Sequence, residues 1–272
     1  MEYRQLGLSD LKVSEVGLGT WAMGSEFYGK TDDQESIRTI RAAIDSGINL
    51  IDTAPAYGNG HAEEVVGRAI EGRRDEIVLA TKVGVKRKGK QFPRDLRPES
   101  IRQEIDDSLR RLNVDVIDLY QIHWPDPDTP IEVALGELLK IQETGKFRYL
   151  GVSNFKTDLL KTSLEVANIV SLQPQYSLLR RKIEGQLLPF CREQDIGVLS
   201  YGTLAGGILT GKFRELPELD EDDRRAEFYD FFREPVWSKV QQLLDVLREI
   251  ASARDVPVPQ VAINWAAQQP GI

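Results

Sequence analysis

The sequence predicts an α/β fold of the (β/α)8 barrel class, in which parallel strands alternate with helices. Short apolar strands alternate with helix-periodic segments along the whole chain. The length of 272 residues also suits a single barrel, which typically needs about 250 residues. Several of the strands end at a polar residue, and the carboxyl ends of parallel barrel strands meet on one face. We therefore predict one domain over residues 1–272 with its chemistry on that face.

The composition excludes several classes of partner. A net charge of −8 gives no overall attraction to nucleic acid or to an anionic membrane. Cys191 is the only cysteine, which rules out an intrachain disulfide and favours a reducing compartment. No apolar run approaches the ~20 residues of a membrane span, and residues 1–4 lead into structured sequence without a signal-peptide core. We predict a soluble, cytoplasmic protein; its oligomeric state cannot be read from the sequence.

The elements can be placed in order. Alternation over residues 3–13 around Gly7 predicts a hairpin in residues 1–14, ahead of barrel repeats in residues 15–272. Gly47 ends the first helix, and Pro98 stands in the first turn of the third. The strands are expected at residues 16–21, 49–51, 77–81, 116–122, 150–152, 170–173 and 197–200. The helices are expected at residues 33–46, 62–71, 98–112, 133–141, 157–167, 187–190, 236–253 and 259–268.

Seven strand–helix units do not close an eight-stranded barrel. The sequence reaches residues 271–272 where an eighth strand is due. A barrel left open between its first and seventh strands would expose unpaired backbone groups. We therefore expect the eighth strand and the final helix of the barrel to be missing from this chain.

Four ionisable residues end or follow separate apolar strands, and together they form a coherent acid catalyst: Asp52, Tyr57, Lys82 and His123. Free tyrosine ionises near pH 10, so it donates its proton reluctantly near neutrality. A lysine ammonium beside the phenol would lower the phenol's pKa, and Asp52 would hold Lys82 charged and oriented. Tyr57 then suits a general acid, with His123 hydrogen-bonded to the same substrate oxygen. Two histidines and one cysteine predict no metal site.

Each residue also has an ordinary explanation when it is taken alone. Asp52 suits the cap of a turn, and Lys82 suits a solvated residue heading a basic loop. His123 suits a hydrogen-bonded turn before Pro125. The catalytic interpretation therefore depends on the coincidence of four such residues at strand ends. A Schiff-base lyase using Lys82 is a rival, but a neighbouring carboxylate would keep that lysine protonated, whereas a Schiff base requires it neutral.

The motifs around these four residues resemble those of the aldo-keto reductases. They are IDTAPAYGNG at residues 51–60, ATKVG at 80–84 and QIHWPD at 121–126, joined by GLGTW at 17–21, GVSNF at 151–155 and LTGK at 209–212. The likeness covers nearly the whole chain. It is strongest to the bacterial branch related to general stress proteins and to potassium-channel β subunits.

The resemblance implies a TIM barrel that uses NADPH to reduce aldehydes or ketones to alcohols, with Tyr57 protonating the carbonyl oxygen. NADH is the less favoured cofactor. The implied catalytic residues are Asp52, Tyr57, Lys82 and His123. The implied cofactor contacts are Gly19, Thr20, Trp21, Asp52, Ser153, Asn154, Gln173, Tyr201, Gly202, Thr203, Leu204, Gly206, Gly211 and Lys212. The implied substrate contacts are Trp21, Tyr57, His123 and Trp124.

Within this set the resemblance assigns separate tasks. Ser153, Asn154 and Gln173 would hold the carboxamide of the nicotinamide, and the ring would stack on Tyr201. The loop of residues 204–212 would wrap the pyrophosphate, because its glycines allow close backbone approach and its lysine adds positive charge. The substrate would be a small carbonyl compound. Aromatic walls at Trp21, Tyr28 and Trp124 would suit an apolar or aromatic one.

The sequence departs from the family pattern in two places. Ala62 stands where the family usually has a serine, so we expect the helix that follows to be capped otherwise. The segment that reads the 2′-phosphate follows the eighth strand and is absent, so NADPH rests on the resemblance alone. A regulatory subunit that binds the nucleotide with little turnover is the alternative function. Four aromatic residues either cover the cofactor or pack ordinarily: Phe228, Tyr229, Phe231 and Phe232.

Overall fold

The computed structural model describes residues 1–25, 28–29, 31–88, 91–219 and 223–272. The chain begins with an antiparallel hairpin of β1 (Tyr3–Gln5) and β2 (Lys12–Ser14), in which Tyr3 lies opposite Ser14. The hairpin lies within the predicted residues 1–14.

A parallel sheet of seven strands follows, in which each strand pairs with the next along the chain. The strands are β3 (Leu18–Gly19), β4 (Leu50–Asp52), β5 (Val78–Val83), β6 (Ile117–Ile122), β7 (Phe147–Ser153), β8 (Ile169–Gln173) and β9 (Gly197–Val198). Among the described residues, β3 and β9 each pair with a single strand, so the sheet is open between them. The predicted fold class, a (β/α)8 barrel without its eighth strand in this chain, is confirmed.

Helices connect successive strands of the sheet. The connecting helices are α1 (Asp33–Asp45), α2 (His61–Ile70), α3 (Pro98–Leu112), α4 (Ile131–Glu143), α5 (Thr157–Leu164) and α6 (Leu187–Glu193). The later helices are α7 (Arg225–Phe228), α8 (Val236–Arg254) and α9 (Val258–Ala267). Short 3-10 turns lie at Trp21–Gly24, Arg74–Glu76, Lys182–Gly185, Ala205–Thr210 and Asp230–Phe232.

The boundaries differ from the prediction mainly at the edges of the sheet. β3 and β9 span two residues each, where six and four were expected. An edge strand receives ladder bonds from one side only, so less of its apolar sequence is held in strand geometry. We expected α2 to be capped otherwise than by a side chain at position 62. No side chain caps it; the amides of His61 and Ala62 donate to backbone carbonyls of the preceding turn, and Gly60 takes a left-handed conformation at φ +94°.

The main core lies between the outer face of the sheet and the helices. α3 shows why these segments are helical: Pro98 opens it, Asn113 ends it in a left-handed conformation, and Ile101 and Ile105 recur four residues apart on the buried face. Each such side chain contributes about 1.5–3 kcal/mol on burial. The sheet is thereby fixed against the helices, and its strand ends become rigid platforms.

The hairpin covers the amino ends of the strands. Leu6, Leu11 and Val13 join one hydrophobic cluster with Leu50 at the start of β4 and Val170 near the start of β8. With that end covered by the hairpin, the carboxyl ends of the strands are left to form a site.

In the part of the chain that the structure describes, no helix combines the length and the apolar character needed to cross a membrane.

Candidate functional site

A cavity of about 1120 Å³ opens at the carboxyl ends of the strands and runs along the open side of the sheet between β3 and β9. Many of the predicted site residues line it: Gly19, Trp21, Asp52, Tyr57, Gln173, Tyr201, Gly202, Thr203, Leu204 and Gly206. The other predicted residues are not part of its lining: Thr20, Lys82, His123, Trp124, Ser153, Asn154, Gly211 and Lys212.

Lys82 is the centre of the predicted catalytic group. It lies on β5, a fully buried strand, and its side chain has no solvent exposure. The ammonium Nζ donates to Asp52 Oδ2 at 2.6 Å, to the Thr53 carbonyl at 2.9 Å and to Tyr57 Oη at 3.2 Å. The alternative of a solvated loop lysine is therefore wrong. β4, β5 and the turn after β4 bring three of the four predicted side chains into direct contact.

His123 completes the group from the end of β6. Its ring stands edge-on to the ring of Tyr57, with the centroids 5.8 Å apart and the planes at 85°. Its backbone is fixed on both sides, because its amide donates to the Val83 carbonyl and its carbonyl accepts from Asn154 Nδ2, each at 3.0 Å. Trp124 follows it, with the Arg94 guanidinium 4.8 Å from its ring centroid.

The electrostatics of the group differ from the expectation at one point. Burial, the Asp52 charge and Tyr229 raise the pKa of Tyr57 well above its usual 10. The expectation that Lys82 lowers the pKa of Tyr57 is wrong for this structure, because burial disfavours the phenolate and Asp52 opposes the lysine's charge. Burial lowers the pKa of Lys82, against the opposing charges of Asp52 and Glu63.

His123 is neutral near pH 7. Burial, aided by the neighbouring Lys82 charge, lowers the pKa of His123 well below its usual 6.5. A neutral imidazole donates one N–H and accepts at the other nitrogen. The site therefore presents two uncharged donors, the phenol and the imidazole, beside a buried Lys82–Asp52 ion pair.

The far oxygen of Asp52 is held by two amides. Asp52 Oδ1 accepts from Gln173 Nε2 at 2.8 Å and from Gln121 Nε2 at 3.1 Å. Gln173 is a predicted site residue, whereas sequence reasoning missed Gln121. The available signal was a polar residue inside the apolar run of β6, which the structure shows to be fully buried.

Glu63 is a second buried charge that the sequence analysis missed. It lies on α2 with no exposure, accepts a hydrogen bond from Thr81 Oγ1 at 2.6 Å and pairs with Arg111 at 2.6 Å. Thr81 directly precedes Lys82, so this contact ties α2 and α3 to the strand that carries the lysine.

The three residues predicted to hold the carboxamide are linked to one another. Ser153 Oγ donates to the Gln173 carbonyl at 2.7 Å and accepts from Asn154 Nδ2 at 2.9 Å. Asn154 Oδ1 accepts from the Tyr201 hydroxyl at 2.9 Å. Gln173 and Tyr201 of this network line the cavity, and Ser153 and Asn154 lie behind them.

The glycine-rich loop borders the other end of the cavity. Gly202, Gly206 and Gly207 all have positive φ, between 68° and 93°. Arg225 donates to the Gly206 carbonyl at 3.0 Å and pairs with Asp223, which ties residues 223–228 to the loop. Sequence reasoning missed Arg225 because its partners come from turns that no periodicity marks.

The end of the predicted loop and the aromatic segment divide between the cavity and the surrounding structure. The Lys212 ammonium lies 4.6 Å from the Phe213 ring centroid, outside the cavity lining. Tyr229 lines the cavity. Phe231 and Phe232 pack in a separate core with α8. Tyr229 also belongs to that core, so ordinary packing holds for these three residues, and a cover over the cofactor stays a prediction.

An aromatic wall stands over Tyr57. The Trp21 ring is stacked on the Tyr57 ring with the centroids 6.2 Å apart, and it meets Tyr28 at 5.3 Å and Phe228 at 5.2 Å edge-on. Among the residues that the structure describes, no three His, Cys, Asp or Glu side chains are grouped to hold a metal ion.

Comparisons with known proteins place the chain in a family. The model of the aldo/keto reductase family matches residues 15–272. Aldo-keto reductase YhdN of Bacillus subtilis is 42% identical over the whole chain and 82% of its own length. The NADH-specific methylglyoxal reductase of Escherichia coli is 36% identical over 97% of this chain and 85% of its own.

Solved structures are similar as well. The glycerol dehydrogenase AKR11B4 of Gluconobacter oxydans superimposes with a TM-score of 0.90 at 41% identity, covering 100% of this chain and 84% of that one. An aldo-keto reductase of Klebsiella pneumoniae in complex with NADPH has a TM-score of 0.75 at 30% identity, covering 99% and 82%. The chain therefore belongs to the aldo/keto reductase family and is an NAD(P)H-dependent oxidoreductase.

Proposed function

We propose that this chain reduces aldehydes or ketones to alcohols with NADPH, using Tyr57 as the general acid and Lys82, Asp52 and His123 as its support. The observation that carries the proposal is the chain of contacts from Asp52 through Lys82 Nζ to Tyr57 Oη, at 2.6 and 3.2 Å. This chain of contacts ends at the wall of the cavity, since Tyr57 lines it. A proton donor backed by a buried cation suits a reaction in which negative charge develops on an oxygen.

The proton resides on Tyr57 Oη before the reaction. Because burial raises the pKa of Tyr57, the phenol is fully protonated at neutral pH and is always available as the donor. The neighbouring ammonium of Lys82 stabilises the phenolate that is left when the proton departs. Neutral His123 donates its N–H to the same carbonyl oxygen and fixes the substrate against the Tyr57 hydroxyl.

The cavity residues fit a nicotinamide nucleotide. Its nicotinamide supplies the hydride when the cofactor is bound. Tyr201 offers a ring for stacking, and Gln173 offers an amide for the carboxamide, beside Asn154 and Ser153. The positive-φ glycines of residues 202–207 let the loop backbone lie close to the cavity, as close approach to phosphate requires. The Klebsiella relative was solved in complex with NADPH, which supports NADPH as the cofactor of this chain. The E. coli relative is named as NADH-specific, so NADH is the cofactor to compare with NADPH in the assay.

We extend the proposal to the remaining contacts and to the setting. Gly19, Thr20 and Trp21 border the cofactor and the substrate. The Trp21 wall and Trp124 favour apolar or aromatic carbonyl compounds. Gly211 and Lys212 contribute to the phosphate end. Residues 1–272 act as a single barrel domain in the cytoplasm, which the single buried cysteine supports.

Tyr57→Phe tests the proposed function, because it removes only the donor oxygen. NADPH oxidation with an aromatic aldehyde is expected to fall about 10²–10⁴-fold. NADPH binding, followed by tryptophan fluorescence, stays unchanged. Tyr120→Phe is the matched control. The buried hydroxyl of Tyr120 has no hydrogen-bond partner in the described structure, and the residue lies in the main hydrophobic core.

Two outcomes contradict the proposal. Turnover that survives Tyr57→Phe would exclude this donor. NADPH binding by the parent chain without any turnover would instead favour a regulatory nucleotide-binding role.

A further inference from the structure

The Asp52 carboxylate is divided between two tasks. Oδ2 accepts from Lys82, while Oδ1 accepts from two amides on other strands, Gln121 on β6 and Gln173 on β8. A carboxylate with one oxygen fixed in this way cannot rotate its other oxygen away from the ammonium without losing charge-assisted hydrogen bonds. The orientation of the Lys82–Asp52 pair therefore depends on the two glutamines.

Gln121 is placed for this contact by the register of the sheet. It lies opposite Lys82 across β5–β6 and opposite Gly151 across β6–β7. A Cβ at Gly151 would come within 3.0 Å of Gln121 Cγ and 2.4 Å of Ser171 Oγ, so the glycine makes the room that this side chain occupies. The amide therefore sits in a packed interior, outside the lining of the cavity.

Burying the Gln121 side chain costs free energy, and packing alone does not explain why an amide stands at this position. Its side chain has no exposure, and its Oε1 has no hydrogen-bond partner within the described structure. An unpaired buried amide oxygen is unfavourable, and an apolar side chain of the same length would avoid it. The side-chain hydrogen bond that Gln121 makes in the described structure is the one from its Nε2 to Asp52 Oδ1.

We propose that Gln121 is a positioning residue that keeps Asp52 Oδ2 on Lys82 when the Gln173 amide turns to the nicotinamide carboxamide. The second half of this statement rests on the proposed function, in which Gln173 contacts the cofactor. With Gln173 withdrawn, Gln121 is the remaining side-chain donor to Oδ1 among the described contacts.

The orientation of Asp52 matters because Lys82 is fully buried. Burial lowers the pKa of Lys82, while Asp52 and Glu63 oppose that shift. The other groups facing the ammonium, Tyr57 and His123, are uncharged near pH 7. If Asp52 turns away, Lys82 loses its proton at lower pH and no longer stabilises the Tyr57 phenolate.

The test compares Gln121→Met, which keeps the length and removes the donor, with Ser171→Ala as a matched control in the same interior layer. Ser171 Oγ is buried without a partner in the described chain, so its removal leaves Asp52 untouched. For Gln121→Met we expect kcat to fall about tenfold with KM for the carbonyl substrate unchanged, because one charge-assisted hydrogen bond is lost away from the cavity. The high-pH limb of kcat moves to lower pH.

A readout without cofactor is the ¹⁵N NMR titration of the Lys82 ammonium in chains that carry Gln173→Met, where Gln121 is the remaining side-chain donor to Asp52 Oδ1 among the described contacts. Deprotonation of Lys82 is expected about one pH unit lower when Gln121→Met is added to Gln173→Met. Gln121→Glu serves if the methionine variant fails to fold. Its protonated carboxyl can donate to Asp52, so its activity recovers as the pH falls, whereas the ionised form repels Asp52.

A Lys82 titration that does not change when Gln121→Met is added to Gln173→Met overturns the positioning role. So does an equal loss of kcat in Gln121→Met and Ser171→Ala, which would indicate packing alone. A parent chain without reductase activity overturns the proposed function; if the Lys82 titration still moves when Gln121→Met is added to Gln173→Met, the positioning role is kept.

Discussion

Replacing Asp52 with asparagine is the most informative test of the buried ion pair. The amide has the shape of the carboxylate and keeps the packing, but it removes the charge 2.6 Å from Lys82 Nζ. Lys82 then has no solvent exposure and no carboxylate in contact with its ammonium. Breaking a buried pair by removing one partner typically costs about 3–5 kcal/mol of unfolding free energy.

Two considerations bound the loss of unfolding free energy expected for Asp52→Asn. Lys82 can lose its proton instead of remaining charged. Making a lysine of ordinary pKa 10.4 neutral at pH 7 costs at most about 5 kcal/mol, at 1.36 kcal/mol per pH unit. The Thr53 carbonyl at 2.9 Å and the Glu63 charge still favour the ammonium. We therefore expect a loss of roughly 3 kcal/mol for Asp52→Asn at pH 7.

The loss depends on pH with a definite sign. The pKa of Lys82 falls further below its unfolded value in Asp52→Asn, so the unfolded chain binds the extra proton between those two values. The deficit is therefore larger at pH 7 than at pH 9.5 and disappears as the pH rises toward about 10. Urea unfolding at pH 7 and at pH 9.5, each compared with the parent chain, measures it.

The double variant Asp52→Asn with Lys82→Met is the control for this reasoning. Removing both charges leaves no uncompensated ion, so most of the lost stability should return. A deficit of the same size at both pH values would refute the reasoning, as would a double variant no more stable than Asp52→Asn alone.

Two further predictions concern groups around the site. Burial raises the pKa of Glu104 to about 7, so the folded chain retains a proton that the unfolded chain releases above pH 4.5. Glu104→Gln should therefore add up to about 3 kcal/mol of unfolding free energy at pH 8 and little at pH 4. Urea unfolding midpoints at the two pH values measure this difference. An unchanged midpoint at pH 8 would contradict this. Arg225→Ala removes the partner of the Gly206 carbonyl and of the Asp223 carboxylate. Protease should therefore cut residues 223–228 faster, and NADPH should bind several-fold more weakly. Arg224→Ala is the matched control, and equal protection from protease in both variants would argue against a special role of Arg225.

The elements that the sequence predicted well are those with a strong period and a clear stop. α3 is bounded by Pro98 and Asn113, and its apolar positions leave little choice of face. Asp52, Lys82 and His123 were predicted to converge because each closes an apolar strand, and parallel strands share one carboxyl edge. These arguments depend on local sequence and on one topological rule.

The elements that were missed depend on contacts that no local pattern carries. Gln121 and Glu63 are polar residues in buried elements, and only the register of the sheet reveals that they meet Asp52 and Thr81. The pKa of Tyr57 was predicted in the wrong direction because the charge of Lys82 is visible in the sequence, whereas the extent of burial is not. Arg225 pairs through irregular turns, for which the sequence offers no period.

The hydrogen bonds to Asp52 also bear on how this protein folds. They come from Lys82, Gln121 and Gln173, which are 30, 69 and 121 residues away along the chain. Contacts of such sequence separation form only after large loops have closed, and they are characteristic of slowly folding topologies. No fragment ending before β8 contains the complete polar cluster. A nascent chain therefore completes this polar cluster only after most of its length has been made.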